Sequence, residues 1–131
     1  MVNSIKEIHQ MDAKKTLVLG ASTNPSRYSN MAVLKLLNHG HEVVPVGIKK
    51  GKIGGIEILS KEDKTTGIET VTLYLGPKNQ PQYYDYILDL KPSRVIFNPG
   101  TINPEFMKQL ADEGVEVVDA CTLVMLSVNT Y

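Results

Sequence analysis

The chain has 131 residues, 42% hydrophobic and 21% charged, and its 14 basic and 14 acidic side chains cancel. That length and composition fit one domain with a real core, and the balanced charge removes the field that would draw the protein to a nucleic acid or an anionic membrane. Cys121 is the only cysteine, which excludes an intramolecular disulfide and fits a reducing, cytoplasmic setting.

His9, His39 and His41 have no zinc-site spacing with Cys121. No apolar run approaches the roughly 20 residues that span a bilayer. The opening "MVNSIKEIHQMDAKK" lacks the apolar centre and cleavage site of a signal peptide, so the protein reads as soluble and unprocessed. Ser4 and Glu7 have capping-box spacing and Ile5 and Ile8 share a helical face. Residues 1–14 thus read as an extension or short helix, ahead of a domain over 15–131.

In chain order, "TLVLG" from Thr16 is a short apolar run closed by glycine, as expected of a strand buried on both faces. "NMAVLKLLNHG" follows as a helix that Gly40 ends in a left-handed turn. "HEVVPVG" is the next strand, "IKKGKIGG" a surface loop, and Ile56 to Leu59 a brief edge strand. "TVTLYLG" is a strand and "QPQYYDYILDL" a helix with proline near its start. "RVIFNPG" is another strand, and Asn103 caps the helix "PEFMKQLADEG", which Gly114 ends. "VEVVDA" is the last strand and "CTLVMLSVNTY" a final apolar turn or helix.

Strands and helices alternate over short links. The expected fold is therefore α/β: a single Rossmann-like, doubly wound domain with a mostly parallel sheet of about five strands and helices on both faces. Such sheets bind ligands at the carboxyl ends of their strands. The turns in question are "GASTNPSRYS", "PVGIKKGK", "GPKN" and "NPGTIN".

In the first turn Gly20 allows a sharp exit and the small Ala21 and Ser22 keep it clear, leaving backbone N–H groups and a helix N-terminus that favour a phosphate. The hydroxyls of Ser22, Thr23, Ser26 and Ser29 and the guanidinium of Arg27 are candidate partners for it, or ordinary turn and cap residues. A site for NAD usually carries an acid about 20 residues further on. Here that region reads "VVPVGIKK", with Lys49 and Lys50 in place of a carboxylate. The pair disfavours NAD and favours a ribose that carries a phosphate, as in NADP or coenzyme A; a solvated lysine loop is the plainer alternative. Asn98 to Gly100 offer an amide and a compact turn near the same crevice, and no loop shows a hydride- or acyl-transfer apparatus.

With "VLGASTNPSRYS", "GHEVVPV" and its following lysine, "RVIFNPG" and "VVDACTLVML" in place, the chain resembles the small stand-alone coenzyme A-binding proteins of Rossmann-like fold. Their domain is similar to the coenzyme A-binding domain of the succinyl-CoA synthetase alpha subunit. The likeness covers Lys15 to about Ser127. It implies that the glycine-rich first loop of that relative falls on Gly20 to Ser26, including Asn24 and Pro25, with Thr23 and Ser26 where the relative prefers glycine. A third contact segment falls on Phe97, Asn98 and Pro99. The chain has Val46-Gly47-Ile48 where members commonly read valine-asparagine-proline, which leaves either Lys49 or Lys50 as the cation facing the ligand phosphate. The synthetase's catalytic histidine belongs to a second domain that this chain lacks, so the resemblance implies binding of coenzyme A or an acyl-CoA by a non-catalytic or regulatory module.

Two readings compete with it: an NADP-binding oxidoreductase or redox sensor, and an interaction subunit whose "CTLVMLSVNTY" docks on itself or a partner. Tyr83, Tyr84 and Tyr86 read as packing residues of an amphipathic helix, not as a base-stacking platform. Cys121 reads as a buried thiol, His39 as a helix-end cation and His41 as a solvated side chain.

Overall fold

Four short strands, β1 (Thr16–Leu19), β2 (Val43–Val46), β5 (Thr70–Leu73) and β6 (Arg94–Phe97), are buried along their whole length. Strands of this kind stand in a parallel sheet covered on both faces. A computed structural model describes residues 13–131 and joins them with β7 (Glu116–Asp119) in a five-stranded parallel sheet of order β2-β1-β5-β6-β7. Thr16 is level with Val43 on one side and with Thr70 on the other. The helix expected around Ser4 and Glu7 lies outside the described residues.

Alternation along the strands divides the core in two. Leu17, Leu19, Val71, Leu73, Val95 and Phe97 point to one face, where Ile87 of α2 (Tyr84–Leu90) and Phe106 and Leu110 of α3 (Pro104–Asp112) cover them. Val18 and Val43 point to the other, against Val33 and Leu36 of α1 (Tyr28–Asn38) and Leu126 of α4 (Thr122–Ser127). The doubly wound α/β architecture expected from the alternation of elements is the one observed.

Three local readings change. The lysine- and glycine-rich stretch is not all loop. β3 (Lys52–Ile53) and β4 (Ile56–Glu57) form an antiparallel hairpin across Gly54 and Gly55, whose φ values of 56° and 80° suit a two-residue turn, and Ile53 is buried. Leu59 then lies beside β2: its N–H donates to the Pro45 carbonyl and its own carbonyl accepts from Gly47, so the proline sits at a sheet edge. Finally, the helix expected from Gln80 is preceded by two 3-10 turns, Pro77–Asn79 and Pro81–Tyr83, because each proline starts a new turn and lacks the N–H that would continue the previous one.

At the amino end of the sheet, Tyr131 folds back under β1. Its hydroxyl lies 2.6 Å from Thr16 Oγ1, and its ring stacks 4.3 Å from the Arg94 guanidinium. His41 is not simply solvated: its Nδ1 accepts from the Lys14 N–H at 2.9 Å and its ring meets the Tyr131 ring edge-on.

Candidate functional site

Strand order reverses at β1, which has β2 on one side and β5 on the other, so the turns after these strands part and leave a crevice. An open cleft of about 670 Å³ lies there, lined from four successive strand ends. Gly20 to Thr23 come from the β1 turn, Gly47 to Lys49 from β2, Tyr74 to Gly76 from β5, and Pro99 to Thr101 from β6. The first turn of α1 and the segment before α2 supply the remaining walls.

The β1 turn depends on two glycines. Gly20 has φ of +94°, and a Cβ there would come within 3.1 Å of the Tyr74 backbone. Gly47 passes under the same turn, where a Cβ would collide with the Ala21 carbonyl oxygen. The Val46 carbonyl accepts from both Gly20 and Ala21, at 2.9 and 3.0 Å, so these two N–H groups serve the fold.

The next N–H groups are unspent. Among the described residues no acceptor lies within hydrogen-bonding reach of the N–H of Ser22, Thr23, Tyr28 or Ser29. Arg27 is the N-cap of α1 and makes no capping bond, and no acid stands in the first helical turn, so the positive end of an eleven-residue helix is uncompensated. Arg27 and Lys49 line the cleft beside it. No carboxylate, imidazole or thiol is among the described lining residues.

The expected site residues separate into three groups. Gly20, Ala21, Ser22, Thr23, Arg27, Lys49, Pro99 and Gly100 line the cleft. Asn24, Pro25 and Ser26 are exposed and brace the loop: the Asn24 N–H donates to Ser22 Oγ, and Asn24 Oδ1 accepts from the Ser26 N–H and hydroxyl. Lys50 stands next to the lining without joining it. Phe97 is fully buried in the core behind the cleft. Asn98 is 1% exposed and spends its amide inside the protein, Nδ2 donating to Thr72 Oγ1 and the Leu73 carbonyl and Oδ1 accepting from the Thr122 N–H.

Sequence reasoning named the turns "GPKN" and "NPGTIN" without singling out Asn79 or Thr101, and missed Tyr74, Gln82 and Tyr83. Asn79, Gln82 and Tyr83 line the cleft from the 3-10 turns, and Thr101 and Tyr74 add to it. The signal available was position alone, since these residues follow strand ends. Burial raises the Tyr74 and Tyr83 phenols above their ordinary range, and for Tyr74 the neighbouring Cys121 adds to the effect, so both stay protonated. Tyr83 packs into the core and Tyr84 stacks on Phe106 at 4.2 Å, as packing residues. Cys121 is half-buried at the N-cap of α4 and not enclosed in the core.

The family described as CoA binding domain matches residues 14–127, nearly the whole chain. The chain belongs to the CoA-binding domain family. Other chains are similar to it in sequence and fold. The protein is 27% identical over 127 residues to the uncharacterized protein YneT of Bacillus subtilis, covering 95% of this chain and 93% of that one. A crystal structure of an uncharacterized protein is 51% identical, with a TM-score of 0.88 over 91% of this chain and 98% of the other. A hypothetical protein from Pyrococcus horikoshii is 29% identical, with a TM-score of 0.82 over 98% and 91%. This CoA-binding domain has no described helix long and apolar enough to cross a membrane.

Proposed function

We propose that the protein binds coenzyme A or an acyl-CoA as a binding or regulatory module. The observation that carries the reading is the cleft itself, in which four unspent N–H groups, Arg27 and Lys49 converge with no carboxylate among the described lining residues. Unspent N–H groups at a helix start suit a pyrophosphate, and a cation at the end of β2 suits a phosphorylated ribose. In this reading the pyrophosphate meets Ser22 and Thr23 with the start of α1, and the 3′-phosphate meets Lys49. The pantetheine arm runs past Pro99 and Gly100, with Phe97 and Asn98 supporting that turn from behind.

Thermal melts with coenzyme A, dephospho-coenzyme A, NAD and NADP test it. Ligand at about 100 times its dissociation constant adds roughly 2.7 kcal/mol, a shift of about 10 °C for a domain of this size. Coenzyme A is expected to give the largest shift. No shift at millimolar coenzyme A, or a larger one with NADP, would overturn the reading.

A further inference from the structure

Two buried side-chain amides brace the cleft, one at each half. Asn30, in the first turn of α1, is 5% exposed, and its Nδ2 donates to the Ser22 carbonyl at 2.8 Å. That bond ties the β1 turn to the helix it precedes and holds the carbonyl of Ser22 inward, while the N–H groups of Ser22 and Thr23 stay unspent. Gln80 lies between the two 3-10 turns and is fully buried. Its Nε2 donates to the carbonyls of Leu75, at 2.9 Å, and Thr101, at 2.7 Å, and its Oε1 accepts from Asn103 Nδ2 at 2.9 Å. Leu75 and Thr101 both line the cleft, from the turns after the adjacent strands β5 and β6.

One amide therefore sets the shape of the β1 turn, and the other sets the distance between the β5 and β6 turns. We propose that Asn30 and Gln80 are positioning residues that hold the two halves of the cleft independently, Asn30 the phosphate-binding turn and Gln80 the seat of the pantetheine arm. The proposal rests on the coenzyme A reading. Neither side chain needs to touch the ligand: each acts through main-chain groups that it holds by hydrogen bonds, and a neutral bond of this kind is worth about tenfold in an equilibrium when its buried partner is left unpaired.

Calorimetric titration with coenzyme A and with ADP, which keeps the pyrophosphate and lacks both the pantetheine arm and the 3′-phosphate, separates the two roles, because the 3′-phosphate is assigned to Lys49 and neither amide holds that residue. Asn30→Leu and Asn30→Asp, neither of which can donate to the Ser22 carbonyl, are expected to weaken both ligands by the same factor, about tenfold. Gln80→Met is expected to weaken coenzyme A about tenfold and to leave ADP within about twofold of its starting affinity. Should Gln80→Met fail to fold, Asn103→Ser carries the test, because a serine keeps the N-cap acceptor and removes the Nδ2 that holds Gln80. It should shift the coenzyme A to ADP affinity ratio in the same direction.

A general loss of packing would lower the melting temperature without changing that ratio. Folded Asn30 variants with unaltered ADP affinity, or Gln80 and Asn103 variants that lose both ligands equally, would overturn the proposal while leaving the coenzyme A reading intact. A natural-sequence protein that binds neither ligand would overturn both.

Discussion

Gly47 runs directly beneath Ala21, and a single Cβ added to it would strike the Ala21 carbonyl oxygen. The obstacle is main chain and cannot rotate away, so Gly47→Ala must displace either the β1 turn or the end of β2. A loss of about 1–3 kcal/mol is expected, read as a fall of several degrees in melting temperature, together with weaker binding of coenzyme A. Unchanged melting temperature and affinity would show that the two turns are not packed as described.

Asn98 joins three elements through one amide, donating to Thr72 and Leu73 at the end of β5 and accepting from Thr122 at the start of α4. Asn98→Ala removes a partner from the Leu73 carbonyl and the Thr122 N–H, while Thr72 Oγ1 keeps the Thr122 hydroxyl at 2.8 Å, and should cost about 3 kcal/mol. Asn98→Asp keeps an acceptor for Thr122 but loses both donor bonds, and adds a buried charge, so it should do no better than alanine at neutral pH and recover as acid protonates it. Urea unfolding of both variants at two pH values checks the order.

Lys49 lines the cleft and Lys50 stands outside the lining. Lys49→Glu should therefore remove the preference for coenzyme A over dephospho-coenzyme A, replacing attraction for the 3′-phosphate with repulsion, and Lys50→Glu should have the smaller effect. Because Lys49 works at an open cleft, added salt should narrow the same preference in the natural protein. An equal loss in both variants would put the phosphate elsewhere.

The sheet was legible because β1, β2, β5 and β6 are largely apolar runs closed within a few residues by Gly or Pro, and such runs suit a parallel sheet. The sharp turn after β1 was legible because Gly20 takes a φ of +94° beside the Tyr74 backbone, which only glycine suits. What the sequence did not disclose was how polar groups are shared out. "NPG" looks like a ligand turn, yet Asn98 is consumed by the fold, whereas Gln80 and Asn30 carry no motif and are buried at the rim of the cleft. "IKKGKIGG" looks solvated throughout, and the pairing of Lys52 with Glu57 and of Ile53 with Ile56 makes it a hairpin. These outcomes depend on contacts between turns far apart in the chain, which local periodicity does not encode.

His41 makes the protein's stability depend on pH at the end of the sheet away from the cleft. Its Nδ1 accepts from the Lys14 N–H, so the ring is held neutral, and burial lowers its pKa below 6.5, with Lys14, His39 and Arg94 acting in the same direction and Glu69 opposing them. In the unfolded chain the ring takes up a proton near pH 6.5. The unfolded state therefore binds more protons between that pH and the lower folded value, and stability rises with pH across the window. The stabilisation is complete above about pH 6.5 and is lost as the pH falls through the folded pKa. Melting temperatures recorded from neutral to mildly acidic pH should decline accordingly, and His41→Phe, which keeps an edge-on partner for Tyr131 but cannot be protonated, should flatten that part of the profile. An identical decline in the variant would assign the acid sensitivity to other groups.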